Sequence, residues 1–244
     1  MSGGTRLGVL VPSSNTRLEP LTGEIVLSLP NVSAHFSRFR VVDVGLDATA
    51  QFDRELILRA AELVADAQPD AIVWSGTSGG WRGVDDDRAL CADIASRTGI
   101  RATTSTLALL DALSQLGTTR LGVVTPYPDD MHRAVVETFT REGLDVVGDA
   151  NLPFARSNWD LALVSSEAIE ALVAEVAPSL PDAITIFCTN LGAADRASDW
   201  EAHYGPVLLD SVSLAVWHAL QLAGYDGPRP QGWGALFSLV PAAA

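Results

Sequence analysis

Positive charge is scarce in this sequence. Sixteen Lys and Arg stand against 30 Asp and Glu in 244 residues, a formal net charge of −14. That balance excludes a nucleic-acid-binding protein, which needs a basic face. It leaves small anionic substrates open, because a pocket can present local N–H donors whatever the global charge. Cysteine is also rare. Cys91 and Cys188 are the only two, too few for a disulfide framework, and both read as free thiols in a reducing compartment. No apolar run approaches the roughly 20 residues of a membrane helix. The opening Met1 to Arg6 has neither the charged nor the apolar region of a signal peptide, so the expected location is cytoplasmic. His35, His132, His203 and His218 show no metal-ligand spacing, and Asp85-Asp86-Asp87 reads as a helix start rather than a cation site. No metal is expected. With 48% hydrophobic residues, the chain has ample core for one large domain or two smaller ones.

Apolar runs and helical stretches alternate along the chain. Leu7 to Val11 is strand-like and is closed by Pro12-Ser13-Ser14-Asn15-Thr16; a helix is expected from Arg17 to Leu29. Val32 to Val42 reads as a strand, and Asp53 to Ala67 as a helix through Leu56, Ile57, Ala60, Leu63 and Val64. Asp70 to Trp74 is the next strand, ending in Ser75-Gly76-Thr77-Ser78-Gly79-Gly80. Helices follow from Asp85 to Thr98 and from Thr104 to Leu116. The second half repeats the first. Thr5-Arg6-Leu7-Gly8-Val9 matches Thr119-Arg120-Leu121-Gly122-Val123, Pro69-Asp70-Ala71-Ile72 matches Pro181-Asp182-Ala183-Ile184, and Thr98-Gly99-Ile100 leads a segment like the one after Tyr204-Gly205-Pro206. Three matches in the same order mean two copies of one βα unit. The expected fold is α/β: two Rossmann-like βα domains with parallel sheets, related by a pseudo-twofold, with the active site in the cleft between them. The N-terminal domain is expected over 1–103, completed by about 213–244, and the C-terminal domain over 104–212.

The stretch Ala183-Ile184-Thr185-Ile186-Phe187-Cys188-Thr189-Asn190-Leu191-Gly192 is a buried-strand pattern that delivers Cys188 to a strand's carboxyl end, where such folds keep their sites. A free cysteine is also a common small core residue, and the residue alone leaves both roles open. The repeat adds chemistry: aligning Asp70 with Asp182 sets Gly76 opposite Cys188. A site built this way carries a thiol on one side and nothing on the other.

These residues resemble the aspartate/glutamate racemase superfamily, in its arylmalonate decarboxylase and maleate isomerase branch. Val11-Pro12-Ser13-Ser14-Asn15-Thr16 looks like the opening motif of maleate isomerase. Gly76-Thr77-Ser78, Arg82-Gly83 and Thr103-Thr104-Ser105-Thr106 look like arylmalonate decarboxylase, while Thr125-Pro126-Tyr127 and the strand ending in Cys188 are similar to both. The resemblance runs through Gly232-Trp233-Gly234-Ala235-Leu236-Phe237. Isomerases and racemases of the superfamily use two cysteines, whereas the decarboxylase keeps only the second, with glycine in the first place. Gly76 and Cys188 follow the decarboxylase; Ser13 to Thr16 do not.

The resemblance implies a cofactor-independent lyase acting on a small dicarboxylate, with Cys188 as the acid that protonates an enediolate on one face. Thr77, Ser78, Tyr127 and Thr189 are implied as the dioxyanion hole; as residues alone, Thr77 and Ser78 equally suit turn chemistry. Asn15, with Ser14 beside it in the motif, reads either as a carboxylate ligand or as a helix cap, and Asn158 and Asn190 are weaker candidates for the same task. Trp74 and Trp81, with Pro12, read as pocket walls or as core. Cys91 reads as packing. The alternatives are a maleate isomerase-like or racemase-like enzyme, and a non-catalytic metabolite-binding member of the ectoine-utilisation type. No nucleic-acid or membrane partner is expected; an oligomer is compatible with the sequence.

Overall fold

The computed structural model describes residues 4–46, 51–153 and 157–239; the start of the opening segment and the last residues of the expected N-terminal domain lie outside them. Two four-stranded parallel sheets organise these residues. The first holds β1 (Thr5–Pro12), β2 (Val32–Phe39), β3 (Ala71–Trp74) and β4 (Ala102–Thr104) in the spatial order β2-β1-β3-β4. The second holds β5 (Arg120–Thr125), β6 (Asp145–Asn151), β7 (Ala183–Ile186) and β8 (Val207–Asp210) in the order β6-β5-β7-β8. The sequence repeats pair with one another in the same register: Leu7 lies beside Ala71 and Gly8 beside Ile72, as Leu121 lies beside Ala183 and Gly122 beside Ile184. The central strands β3 and β7 are buried at every residue, because helices cover both faces of each sheet.

The helices are α1 (Leu18–Leu27), α2 (Arg54–Ala65), α3 (Gly79–Arg82), α4 (Val84–Thr98), α5 (Ser105–Leu116), α6 (Asp129–Arg141), α7 (Asn158–Leu161), α8 (Ser166–Val176), α9 (Ala197–Tyr204) and α10 (Ser211–Leu222). Strand ends double as helix caps. Thr104 accepts from Leu107 N–H at 3.1 Å, and Asp210 accepts from Val212 N–H at 2.8 Å and Ser213 N–H at 3.1 Å, satisfying first-turn donors that have no partner inside a helix. Helix α10 leaves the second sheet yet packs on β3, β4 and α5 of the first. Its buried Leu214, Val216 and Trp217 join a core that also takes Leu7 and Val73 from one sheet and Leu121 and Ile184 from the other.

Element ends shift by a few residues from the sequence reading, and two departures bear on the site. Strand β2 stops at Phe39 rather than Val42, because the next backbone groups are captured elsewhere. Val41 N–H donates to Ser13 Oγ at 3.1 Å, Val41 C=O accepts from the Ser13 and Ser14 hydroxyls, and Val42 N–H donates to Gln51 Oε1 at 2.7 Å. The short helix α3 escapes periodicity altogether, since four residues reading Gly-Gly-Trp-Arg carry no helical pattern.

In each sheet the chain order reverses between the first and third strands, β1 and β3 or β5 and β7. That switch point is where open α/β sheets form crevices at their strand carboxyl ends.

Candidate active site

The loops leaving β1, β3, β5 and β7 meet around one crevice. Cys188 and Thr189 come from the loop after β7, Tyr127 from the turn after β5, and Trp74, Gly76 and Thr77 from the end of β3; Pro12 is the last residue of β1. They line a cavity of about 450 Å³ with its mouth included, within the usual range for small-molecule sites. Apolar walls are added by Val41, Val44, Phe52, Trp81, Met131 and Leu161, and Asn158, Gly45 and Asp43 complete the lining. Asp43 is the only charged side chain among the described residues of this lining.

The repeat is visible in the backbone of the two central loops. Ser75 N–H donates to Leu10 C=O at 3.2 Å and Gly76 N–H folds back to Trp74 C=O at 2.9 Å. In the other copy Phe187 N–H donates to Val124 C=O at 2.8 Å and Cys188 N–H folds back to Ile186 C=O at 3.1 Å. Gly76 and Cys188 therefore occupy equivalent turns, as the sequence alignment expects.

Cys188 is 3% exposed. Burial pushes its thiol up to about 11; the N–H groups of Asn190 and Leu191 and the Tyr127 hydroxyl oppose that shift, and the Asp210 carboxyl adds to it. Asn190 N–H lies 3.4 Å from Sγ. The sulfur thus carries a proton at neutral pH and has donors in place to receive the negative charge left when that proton departs. Cys91 lies on α4, is not part of the cavity lining, and is pushed up to about 12 by burial and by Asp87.

The Tyr127 phenol sits 2.7 Å from Thr77 Oγ1. Burial and the neighbouring Cys188 raise it well above its ordinary value, so it stays a donor. Its turn is pinned from outside the cavity. Asn151 Nδ2 donates to Tyr127 C=O at 3.0 Å, and Tyr127 N–H meets Thr125 Oγ1 at 3.4 Å. Thr125 in turn bonds His132 Nδ1 at 2.9 Å, and His132 Nε2 bonds Asp149 at 2.8 Å. His132 and Asp149 are positioning groups that the sequence did not single out; the i, i+7 spacing of Thr125 and His132 from strand end to helix was their only trace.

The candidates from the sequence separate into two groups. Cys188, Thr77, Tyr127, Thr189, Gly76, Pro12, Trp74, Trp81 and Asn158 line the cavity. Ser78, Ser14, Asn15 and Asn190 do not; they sit behind it as struts. Ser78 Oγ accepts from Trp74 Nε1–H at 3.3 Å. Asn15 takes the capping side of its two readings: Oδ1 accepts from Arg17 and Leu18 N–H at the start of α1 at 3.0 and 2.9 Å, while Nδ2 donates to a hydroxyl of the protein, Thr189 Oγ1, at 3.2 Å. Asn190 Oδ1 accepts from Thr16 N–H at 3.1 Å and its amide donates to Asn158 C=O, while Asn158 Nδ2 donates to Ser14 Oγ at 2.9 Å. These bonds tie the loop after β1 to the loop after β7. The remaining walls at Val41, Asp43, Val44, Gly45, Phe52, Met131 and Leu161 were not singled out, since they carry no motif.

Chemically the site offers one thiol, a phenol, two threonine hydroxyls, the Asn158 amide, the Asp43 carboxyl and apolar walls. The sequence contains no lysine, so neither an amine nucleophile nor a Schiff base is available. Among the described residues no group of three His, Cys, Asp or Glu is placed to hold a metal ion.

Comparison with known proteins places this geometry. The model of the arylmalonate decarboxylase family matches residues 8–237. Arylmalonate decarboxylase from Bordetella bronchiseptica is 27% identical over 233 residues, covering 93% of this chain and 91% of its own length. A crystal structure of arylmalonate decarboxylase superposes with a TM-score of 0.80 at 24% identity, covering 96% of this chain and 99% of that one. The maleate cis-trans isomerase of Nocardia farcinica, solved with a covalently bound succinylcysteine intermediate, superposes with a TM-score of 0.87 at 23% identity, covering 96% of this chain and 98% of that one.

Proposed function

The chain belongs to the arylmalonate decarboxylase family, a family whose relatives are enzymes, and from that premise we propose that it is a cofactor-independent lyase that decarboxylates a malonate-type diacid. The observation that carries this reading is the single thiol of the cavity: Cys188 is buried there, and its equivalent in the repeat is Gly76.

The proposed reaction starts with the diacid lodged so that one carboxylate faces Thr77, Tyr127 and Thr189 and the other faces the apolar wall. Water solvates a carboxylate far better than Trp, Phe, Val and Leu side chains do, so the carboxylate at the wall gains most by leaving as neutral carbon dioxide. The electron pair of the breaking C–C bond passes into the retained carboxylate and makes an enediolate. The fixed hydroxyl donors stabilise that charge as it develops. Cys188 Sγ–H then gives its proton to the carbon, the new C–H bond forms on the thiol's side, and the resulting thiolate is held by Asn190 N–H and the Tyr127 phenol until solvent reprotonates it. One acid on one face gives one enantiomer.

An isomerase of the kind trapped with a succinylcysteine adduct needs a thiolate that attacks carbon. By resemblance that thiolate belongs to the first of the two equivalent positions, which in this chain is Gly76, while Cys188 stands where the second one does. The test is a substrate panel of phenylmalonate-type diacids, maleate and D- and L-aspartate. Carbon dioxide release from an arylmalonate, falling about 10²- to 10⁴-fold in Cys188→Ala, is the expected result. Fumarate formed from maleate would move the assignment to an isomerase. Inertness toward the whole panel, with a dicarboxylate still raising the melting temperature, would indicate a metabolite-binding protein.

A further inference from the structure

By sequence the second face of the reacting carbon is open, because position 76 is glycine. In the structure it is filled. A Cβ built on Gly76 would lie 2.7 Å from Cη2 of the Trp74 indole, and closer still to Cζ2 and Cε2; side chains in real proteins keep well beyond that separation, so one of the two groups has to move. The indole is not free to do so. It is 1% exposed, its Nε1–H donates to Ser78 Oγ at 3.3 Å, and its ring packs on Phe39 with centroids 4.8 Å apart. The repeat supplies the contrast: the residue equivalent to Trp74 is Ile186, a branched aliphatic side chain with no ring to extend over the next loop, and there the position two residues on carries a full cysteine.

We propose that Trp74 is the specificity-determining residue that closes the second face: its indole fills the volume a side chain at position 76 requires, which commits this chain to one-thiol chemistry and makes a cysteine at that position insufficient for a two-acid site. The inference deepens the proposed function and rests on its premise that Cys188 addresses the reacting carbon. Two-sided chemistry would be racemisation of a 2-arylpropionate. One sulfur, as thiolate, takes the α-proton; the C–H bond breaks, an S–H bond forms and the electron pair enters the carboxylate as an enediolate. The thiol on the opposite face gives its proton to carbon and becomes the thiolate. No oxidant or reductant is involved, but both faces have to be reachable.

The experiment has two readouts, one of them independent of activity. The first is a double-mutant cycle in melting temperature with Gly76→Ala, which makes the same Cβ contact as a cysteine. Alone it is expected to lower the melting temperature by on the order of 5 °C, the size of an overpacking cost in a chain of this length, and in a Trp74→Leu background by less than about half of that. The second is loss of optical purity of 2-phenylpropionate in deuterium oxide, with incorporated deuterium counted. Gly76→Cys together with Trp74→Leu is expected to racemise it, and Gly76→Cys alone at least about 10-fold more slowly, equivalent to one decade of rate constant. Equal melting costs in the two backgrounds, or no cost at all, would overturn the steric claim. Racemisation by Gly76→Cys alone as fast as by the double variant would overturn the closure claim, as would a folded double variant that leaves the acid optically pure. Should the unsubstituted protein release no carbon dioxide from any arylmalonate, the decarboxylase reading fails and the melting cycle still decides whether Trp74 excludes a side chain at 76.

Discussion

The loops after β3 and β7 share a backbone and differ in what they display. Each turns back on itself within two residues, and each places a threonine, Thr77 or Thr189, on the cavity. Each threonine is hydrogen-bonded by a residue from the opposite half of the molecule: Thr77 by Tyr127 from the turn after β5, Thr189 by Asn15 from the loop after β1. The displayed side chains then diverge. The first loop offers an indole and a glycine; the second offers an aliphatic residue and a thiol. A duplicated scaffold thus holds its hydroxyl donors twice and its acid once. In the proposed reaction the symmetric part would bind charge and the asymmetric part would decide where the proton goes.

The most severe way to break the comparison is to remove the donor on the first loop's side. Tyr127→Phe keeps the ring that packs edge-on against Trp81, with centroids 5.4 Å apart, and deletes only the hydroxyl. If the phenol stabilises charge that develops during reaction, kcat falls about 10²- to 10³-fold while KM moves little. A steady-state comparison on an arylmalonate checks this. An unchanged kcat would mean that the two threonine positions are symmetric in geometry alone.

Much of this pairing was legible in the sequence, for physical reasons. The repeats of Gly8 in Gly122 and of Asp70 in Asp182 lie on central strands or immediately before them, and the register of those strands is set by backbone ladders, so aligning them aligns the loops that follow. That is why Gly76 and Cys188 could be paired without coordinates; the pairing of Thr77 with Thr189 follows from the same register. Trp74 was legible as a neighbour of Gly76 but not as its obstruction, since the direction of the indole depends on Phe39 and Ser78, one a strand away and one a turn away. The same limit applies to Ser78, whose implied place in the dioxyanion hole rested on motif position and whose bond to the indole N–H no motif indicates. Asp43, Val44 and Phe52 come from irregular backbone or its border, where no periodicity marks an inward face.

A second contrast lies beneath the loops. Each half buries one carboxyl beside its last strand. Asp87 receives the Thr104 hydroxyl at 2.5 Å and lies directly under Gly79; Asp210 caps α10 and leaves Oδ2 without a partner among the described residues. Burial raises Asp87 to about 6 and Asp210 to about 7 from an ordinary value of 3.8. A carboxyl raised on folding means that the folded protein binds the proton more tightly than the unfolded chain does. Its contribution to stability is therefore present in acid and is lost as pH rises from about 4 toward 7. Melting temperatures measured between pH 4 and pH 8 are expected to fall across that window; Asp210→Asn should flatten the fall up to about pH 7, whereas Asp87→Asn should flatten only the part below about pH 6. The same Asp210→Asn change removes a charge that pushes Cys188 upward, so the Cys188 titration, followed by thiolate absorbance in a Cys91→Ser background because Asp87 acts on Cys91, should move to lower pH. Asp87→Asn, in the half that carries no thiol on the cavity, should leave that titration where it is. Equal shifts from both substitutions would erase the distinction between the halves.

The smallest expected effect concerns the strut on the second loop's side, and it separates holding from reacting. Asn15 is 1% exposed and serves two masters: its oxygen caps α1 and its amide steadies Thr189. Asn15→Asp keeps the capping oxygen and replaces the donating amide with an acceptor, whereas Asn15→Ala removes both. Loss of the cap costs about 1 kcal/mol, which in a chain of this length lowers the melting temperature by roughly 2–4 °C. If Asn15 is a strut, Asn15→Ala shows that melting loss with a modest fall in kcat, and Asn15→Asp retains the cap while Thr189 turns its hydroxyl proton toward the new carboxylate and away from the cavity. The aspartate variant should then melt close to the unsubstituted protein yet be the slower enzyme of the two. The opposite ranking, with Asn15→Ala the slower, would mean that the amide itself contacts substrate and that the two threonines are partnered for different purposes.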